Sequence, residues 1–177
     1  MYWRRLHRRC KQVIEGLPLP DPFTVEELCT RLATDRGRRL ELRPLPTPTV
    51  PEMPTGIWLA TDSGDYVLYD AQTSPLHQEH IILHEIGHLV CDHRSGSGDQ
   101  RLYRQIDLAD AESLRQALAR SRYSDLQEQE AEMIATLVLE RAGRVPSPAL
   151  LSGMLGGLES AMGLSGAPRE RTPCSRG

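Results

Sequence analysis

No apolar run in the 177-residue sequence is long enough to cross a bilayer, and the basic N-terminal stretch is not followed by the apolar core of a signal peptide. The four cysteines lack CxxC spacing, which fits reduced thiols better than a disulfide framework. The net charge of -3 gives no reason to expect a bulk polyanion or an anionic membrane as the main partner. We therefore expect a cytoplasmic protein with no membrane partner and no direct binding to nucleic acid.

The sequence also has no internal repeat, and its length is that of one compact domain. Residues 1–146 are predicted to form this domain, with an N-terminal helix and linker over residues 1–20. Residues 147–177 are rich in Gly, Ser and Pro and are predicted to be a flexible tail.

Local patterns predict a mixture of helices and strands. Helices are expected at residues 2–15, 24–35, 75–92 and 124–141, with one or two short ones within 101–120; strands are expected at 39–43 and in a hairpin over 57–70. Thr24, Ser74 and Ser124 are suitable N-caps, and Glu27 and Gln127 complete the pattern of a capping box. We expect an α+β fold, with a small antiparallel sheet packed on two helices.

Histidine is concentrated in one segment, HQEHIILHEIGHLVCDH at residues 77–93, which holds five of the six histidines. On a helix at about 100° per residue, four of them fall on one face: His77, His80, His84 and His88. Ile82, Ile86 and Leu89 fall on the opposite face. Because such an apolar helix is largely buried, its polar stripe needs hydrogen-bond partners or a ligand.

A metal ion would meet that need. His84 and His88, four residues apart, direct their imidazoles to one point, and Glu85 lies beside them in an HExxH motif. In this motif two imidazoles hold Zn²⁺, and a glutamate acts as the base toward a bound water. Gly87 allows close approach of another backbone.

The remaining polar residues of this segment have less specific interpretations. His77 and His80 are expected to support the site or line its entrance rather than bind metal. Cys91 is expected to be a small buried thiol, and His93 to cap the helix or lie at the surface.

A third ligand must come from elsewhere, and helical register favours Glu128. Glu128 lies in line with the buried face of its helix, which is marked by Ala131, Ala135 and Val138, whereas Glu130 points nearly the opposite way. Glu132 is the alternative ligand, or an acceptor for a histidine N–H. Other carboxylates remain open as ligands: Asp107, Asp110 and Glu112.

The motif HEIGH, followed by E-x-E-A-x-x-x-A-x-x-V-L, resembles the ImmA/IrrE family of metallopeptidases over roughly residues 23–142. The resemblance implies a zincin-like fold with His84, His88 and Glu128 as zinc ligands and Glu85 as the catalytic base. It also implies intracellular, site-specific cleavage of a helix-turn-helix repressor. Glu132 and Ile134 depart from the usual Asn and Phe, and Glu140-Arg141 stands in place of Met-Pro.

The sequence therefore predicts a zinc-dependent endopeptidase, with manganese as the other possible metal. Its protein substrate would lie extended along the hairpin 57–70. Candidate groups for stabilising the oxyanion are Tyr66, Tyr69, Tyr123 and His80. The alternative function is a non-catalytic metal-binding regulator or sensor, of the kind associated with toxin–antitoxin systems or mobile elements.

Overall fold

The computed structural model describes residues 2–46, 54–93, 106–108, 110–120 and 123–145. Within them lie α1 (Tyr2–Glu15), α2 (Val25–Arg36), β1 (Leu40–Pro44), β2 (Gly56–Ala60), β3 (Asp65–Tyr69), α3 (Pro75–Val90), α4 (Ala111–Arg120) and α5 (Asp125–Arg141). The predicted α+β class is confirmed. The chain divides into two units, residues 1–144 and 145–177. The predicted tail, 147–177, lies outside the described residues.

The helices begin at the residues that their capping signals predicted. Ser74 and Ser124 cap α3 and α5, and the capping box between Ser124 and Gln127 is complete. Thr24 caps α2 by accepting a hydrogen bond from the Glu27 N–H. The second half of that box does not form, because the Glu27 carboxylate pairs with Arg31 one turn later.

The sheet is mixed, so the expectation of an antiparallel sheet was wrong for one strand. Its strand order is β1-β3-β2; the hairpin makes β2 antiparallel to β3, as predicted, whereas β1 runs parallel to β3. The pairing aligns Leu40 with Asp65, 25 positions later in the sequence. A turn signal fixes the direction of strands that are adjacent in sequence. It carries no information about a strand that joins from such a distance.

Helix α3 is buried between the sheet and α5, and α1 packs on α5 through Leu6, Cys10 and Ile14. The helices α3 and α5 approach closely at Gly87, where an added Cβ would lie 2.9 Å from the Cα of Ala131. This contact confirms the close backbone approach predicted for Gly87. None of the helices among the described residues is long and apolar enough to cross a membrane.

Candidate metal centre

Three predicted ligands converge where α3 meets the first turns of α5. The Nε2 atoms of His84 and His88 are 3.0 Å apart, and Glu128 Oε2 lies 3.1 Å from the first and 3.7 Å from the second. His88 is fully buried, while His84 and Glu128 are half-buried. One nitrogen from each imidazole and one carboxylate oxygen thus face a common point, where they could hold a metal ion.

Glu132 orients one of these imidazoles. Its Oε2 lies 3.4 Å from His84 Nδ1, the nitrogen turned away from Glu128, and 3.0 Å from His80 Nε2. This is the second of the two roles predicted for Glu132, that of an acceptor for a histidine N–H. Glu132 therefore lies beside the three-residue centre, where it contacts the outer nitrogen of His84 and is itself held by His80.

His88 is held on two sides. The ring of Tyr123 stacks on it at 3.6 Å between centroids, and its Nδ1 lies 2.9 Å from His93 Nδ1. His93 is only 6% exposed, so the expected surface position was wrong, although its backbone N–H does cap the helix. Its Nε2 lies 3.2 Å from Glu130 Oε2. Glu130, on the opposite side of α5 from Glu128 as predicted, is buried because α1 covers it and pairs it with Arg9 at 2.7 Å.

The position of His93 follows from how α3 ends. Asp92 adopts a left-handed conformation at φ 49°, and the N–H of His93 bonds to the carbonyl of His88 at 2.9 Å. The N–H of Asp92 bonds to Leu89. These bonds form a Schellman motif, which brings the second residue after the cap, His93, next to His88 in the last turn of the helix. In the sequence, the signal that could have predicted the contact between His88 and His93 was their separation by five residues.

Glu85 is a buried part of the cleft wall. Its Oε2 accepts a 2.9 Å hydrogen bond from the backbone N–H of Trp58 in β2, and the carboxylate lies close to Gly56, where a Cβ would be 3.0 Å from Oε1. Burial raises the pKa of Glu85 to about 7, although the nearby His84 and the Trp58 N–H favour the charged form. A carboxylate with this pKa can both accept and return a proton near neutral pH.

The charges around the centre favour a bound cation. Hydrogen bonds from His84 and His88 lower the pKa of Glu128 to about 2. Burial alone would lower the pKa of His84, but its hydrogen bonds to Glu128 and Glu132 outweigh burial and raise it to about 10. Burial holds the pKa of His88 below its usual value. A proton on His84 therefore takes the place that a metal ion would take, and binding of the metal must displace it.

These residues line a cleft of about 420 Å³. Its walls are formed by Pro54, Thr55, Gly56, His77, His80, Ile81, His84, Glu85, His88, Tyr123, Glu128 and Glu132. Of the four candidate groups for stabilising an oxyanion, Tyr123 and His80 line the cleft, whereas Tyr66 is buried in the core and Tyr69 ends β3.

The other proposed ligands are not brought to the centre. Asp110 accepts hydrogen bonds from the first turn of α4, and Glu112 forms an ion pair with Arg115 in the same helix. Asp107 is exposed and, like these two, lies outside the group of ligand atoms. A second group that could hold a metal consists of Cys91, His93 and Glu130, with ligand atoms within 4.8 Å of one another.

Comparison of the sequence with protein-family models and curated proteins, and of the fold with solved structures, gave no match.

Proposed function

We propose that the protein is a zinc-dependent endopeptidase with a zincin-like architecture. The observation that carries the proposal is the convergence of His84, His88 and Glu128, with the glutamate of the HExxH motif buried beside them. The resemblance to the ImmA/IrrE family implies that the first three residues bind zinc and that this glutamate is the catalytic base. The proposed location is the cytoplasm.

The spacing of the three donor atoms suits zinc. Ligand atoms bound to zinc at about 2.0–2.1 Å with tetrahedral angles lie roughly 3.3 Å from one another. The three separations here are 3.0, 3.1 and 3.7 Å, so small adjustments of the side chains would suffice. Two imidazoles and one carboxylate leave the fourth position for water, and this donor set favours zinc over manganese.

Glu85 is the proposed general base. Bound zinc would lower the pKa of a coordinated water toward neutrality. The buried carboxylate of Glu85 would take a proton from that water and pass it to the leaving amine of the peptide. Trp58 restrains one oxygen of the carboxylate through its backbone N–H, which leaves the other oxygen for the proton.

The peptide substrate is proposed to lie along β2. This strand is at the edge of the sheet, and its Gly56 lines the cleft. Thr55 and Thr61, on either side of β2, bond to the β3 side of the hairpin, so the alternation of the ladder turns the backbone groups of Gly56 and Trp58 away from β3. The Trp58 N–H is bonded to Glu85, which leaves the Gly56 N–H and the carbonyls of both residues for a peptide. An extended peptide can add to such an edge as another strand. Tyr123 and His80 are the proposed oxyanion donors, because both line the cleft.

The substrate proposed from the family resemblance is a regulatory protein, such as a helix-turn-helix repressor. The test incubates the purified protein, with zinc and with a chelator, with a panel of such repressors and a proteome-derived peptide library. New termini are then identified by mass spectrometry. We expect zinc-dependent cleavage at a restricted set of sites, and restoration of cleavage when zinc is returned after chelation.

Glu85→Gln should reduce cleavage by about 10²–10⁴-fold, because the amide cannot accept the proton of water. It retains an oxygen for the Trp58 N–H, so zinc content should stay at the wild-type level. Glu79→Gln, on the same helix but outside the cleft, is the matched control. Equal cleavage by wild type and Glu85→Gln would refute the assigned mechanism.

A second candidate function is metal-dependent regulation without hydrolysis. The observation that favours it is that Glu85 is buried and already bound to the Trp58 N–H, as a purely structural carboxylate would be. Stoichiometric zinc binding without cleavage of any member of the panel would favour this candidate over the peptidase.

A further inference from the structure

His88 is the best enclosed of the proposed ligands, and a continuous chain of polar groups leads away from it. Its Nδ1 lies 2.9 Å from His93 Nδ1, His93 Nε2 lies 3.2 Å from Glu130 Oε2, and Glu130 Oε1 lies 2.7 Å from Arg9 Nε. The two histidines and Glu130 are all at least 94% buried, since their exposed fractions are 0%, 6% and 6%. This series of polar groups leads from the end of α3 through α5 to α1.

The number of protons on the two imidazoles sets the direction of the hydrogen bonds from His88 through His93 to Glu130. A neutral imidazole carries a single N–H. If His88 binds a metal through Nε2, the atom that faces His84 and Glu128, its proton must be on Nδ1. That N–H can donate only if His93 Nδ1 is the acceptor, so the proton of His93 is on Nε2 and is donated to Glu130. Arg9 then balances the charge of the buried carboxylate.

We propose that His93 and Glu130, with Arg9 behind them, are positioning residues that set the tautomer and orientation of His88 and thereby couple α1 to metal affinity. The proposal rests on the metal centre of the proposed function. Outer partners of metal-bound histidines act in this way by fixing the ring and raising the basicity of the ligating nitrogen.

The same proton count argues against an independent metal ion at Cys91, His93 and Glu130. An ion there would bind His93 through Nε2, the nitrogen that faces Glu130, so neutral His93 would carry its proton on Nδ1. That N–H would face the Nδ1–H of His88 at 2.9 Å, and two donors would oppose each other. The guanidinium of Arg9 beside Glu130 would repel the ion further. The group therefore supports the first centre and does not hold an ion of its own.

The test compares two substitutions of His93. His93→Phe keeps a buried ring without nitrogen, whereas His93→Asn offers a carbonyl oxygen near the place of Nδ1 and can still accept from His88. We expect His93→Phe to raise the Kd for zinc by about 10–100-fold, and His93→Asn to recover part of that loss. Kd is measured by chelator competition, and unfolding of the metal-free protein by urea is recorded for each variant. A merely structural role would lower stability in both variants and leave the Kd of the folded protein unchanged, which would overturn the proposal.

Arg9→Ala extends the test to α1, with the exposed Arg8→Ala on the same helix as its control. We expect a higher Kd for zinc with Arg9→Ala and the wild-type value with Arg8→Ala. Equal values for the two variants would remove α1 from the proposed coupling. Two zinc ions per chain, one of them lost in Cys91→Ser, would overturn the inference about the second group.

Ring tautomers provide a readout that does not depend on cleavage. Nitrogen-15 NMR of the histidine side chains should show His93 protonated on Nε2 and unprotonated on Nδ1 in the zinc-loaded protein. The reverse tautomer would overturn the proposal. Because these experiments measure zinc binding and tautomers, a protein that binds zinc in this manner and cleaves nothing would contradict the proposed peptidase function alone.

Discussion

Gly87→Ala probes the contact that brings the two ligand helices together. The new Cβ would lie 2.9 Å from the Cα of Ala131, and 3.2 Å from both its Cβ and its carbonyl oxygen. Ordinary contact begins at about 3.4 Å, so α5 would have to move away from α3 by roughly 0.5 Å. No rotamer change can avoid this movement, because two of the three opposing atoms belong to the backbone.

Two effects on stability oppose each other. Alanine is favoured over glycine inside a helix by about 1 kcal/mol. Overpacking of a close contact costs about 1–3 kcal/mol. The net change in the free energy of unfolding is therefore between roughly zero and a loss of about 2 kcal/mol.

Metal affinity should respond more strongly than stability. Glu128 lies one turn before Ala131 on α5 and would move with it, away from His84 and His88. A displacement of about 0.5 Å equals the tolerance within which functional groups must be held. We expect the Kd for zinc to rise by about tenfold, equivalent to about 1.4 kcal/mol of binding free energy.

Chelator competition measures this Kd, and urea unfolding of the metal-free protein measures the change in stability. Gly16→Ala is the matched control, because its Cβ would meet its nearest atom, the carbonyl oxygen of Val13, at 3.4 Å, an ordinary contact. If Gly87→Ala bound zinc with the wild-type Kd and were about 1 kcal/mol more stable, the helix propensity alone would be acting. The proposed contact between the helices would then be refuted.

Two further predictions concern titrating groups. Because hydrogen bonds to Glu128 and Glu132 raise the pKa of His84 to about 10 despite its burial, this imidazole is protonated at neutral pH and zinc must displace its proton. The affinity for zinc should therefore rise about tenfold per unit of pH between roughly pH 6 and 8, and an affinity independent of pH would contradict the assignment of His84 as a ligand. Burial, with a smaller contribution from Glu26, raises the pKa of Cys29 to about 12, so its thiol should resist alkylation at pH 8 in the folded protein and react after denaturation. Site-resolved mass spectrometry checks this, and rapid modification of native Cys29 would show that the face of α2 that carries it is not buried.

The features that the sequence predicted best depend on helical periodicity. The positions of His84 and His88 on one face of α3, and of Glu128 on one face of α5, follow from an angle of about 100° per residue. The small residues Gly87 and Ala131 also predicted where two helices could approach closely. Periodicity gives the face on which a side chain lies, and close packing then leaves few ways for two such faces to meet.

Features that periodicity does not encode were missed. The parallel pairing of β1 with β3 joins segments separated in the sequence by β2 and the connections on either side of it. Glu130 was assigned correctly to the side of α5 opposite Glu128, but its burial depends on α1, more than a hundred residues earlier. The backbone partner of Glu85, Trp58, likewise comes from another element.

The sequence by itself determined the chemistry of the candidate centre: which residues can supply nitrogen and oxygen ligands, and which face of each helix presents them. Only the tertiary structure decided which polar groups are buried together, and so placed His93 and Glu130 behind His88 and Trp58 against Glu85. The physical reason is that the orientation of side chains on a helix is a local property of the backbone. Burial and hydrogen-bond partnership depend on which distant segment covers that helix, and no local pattern specifies it.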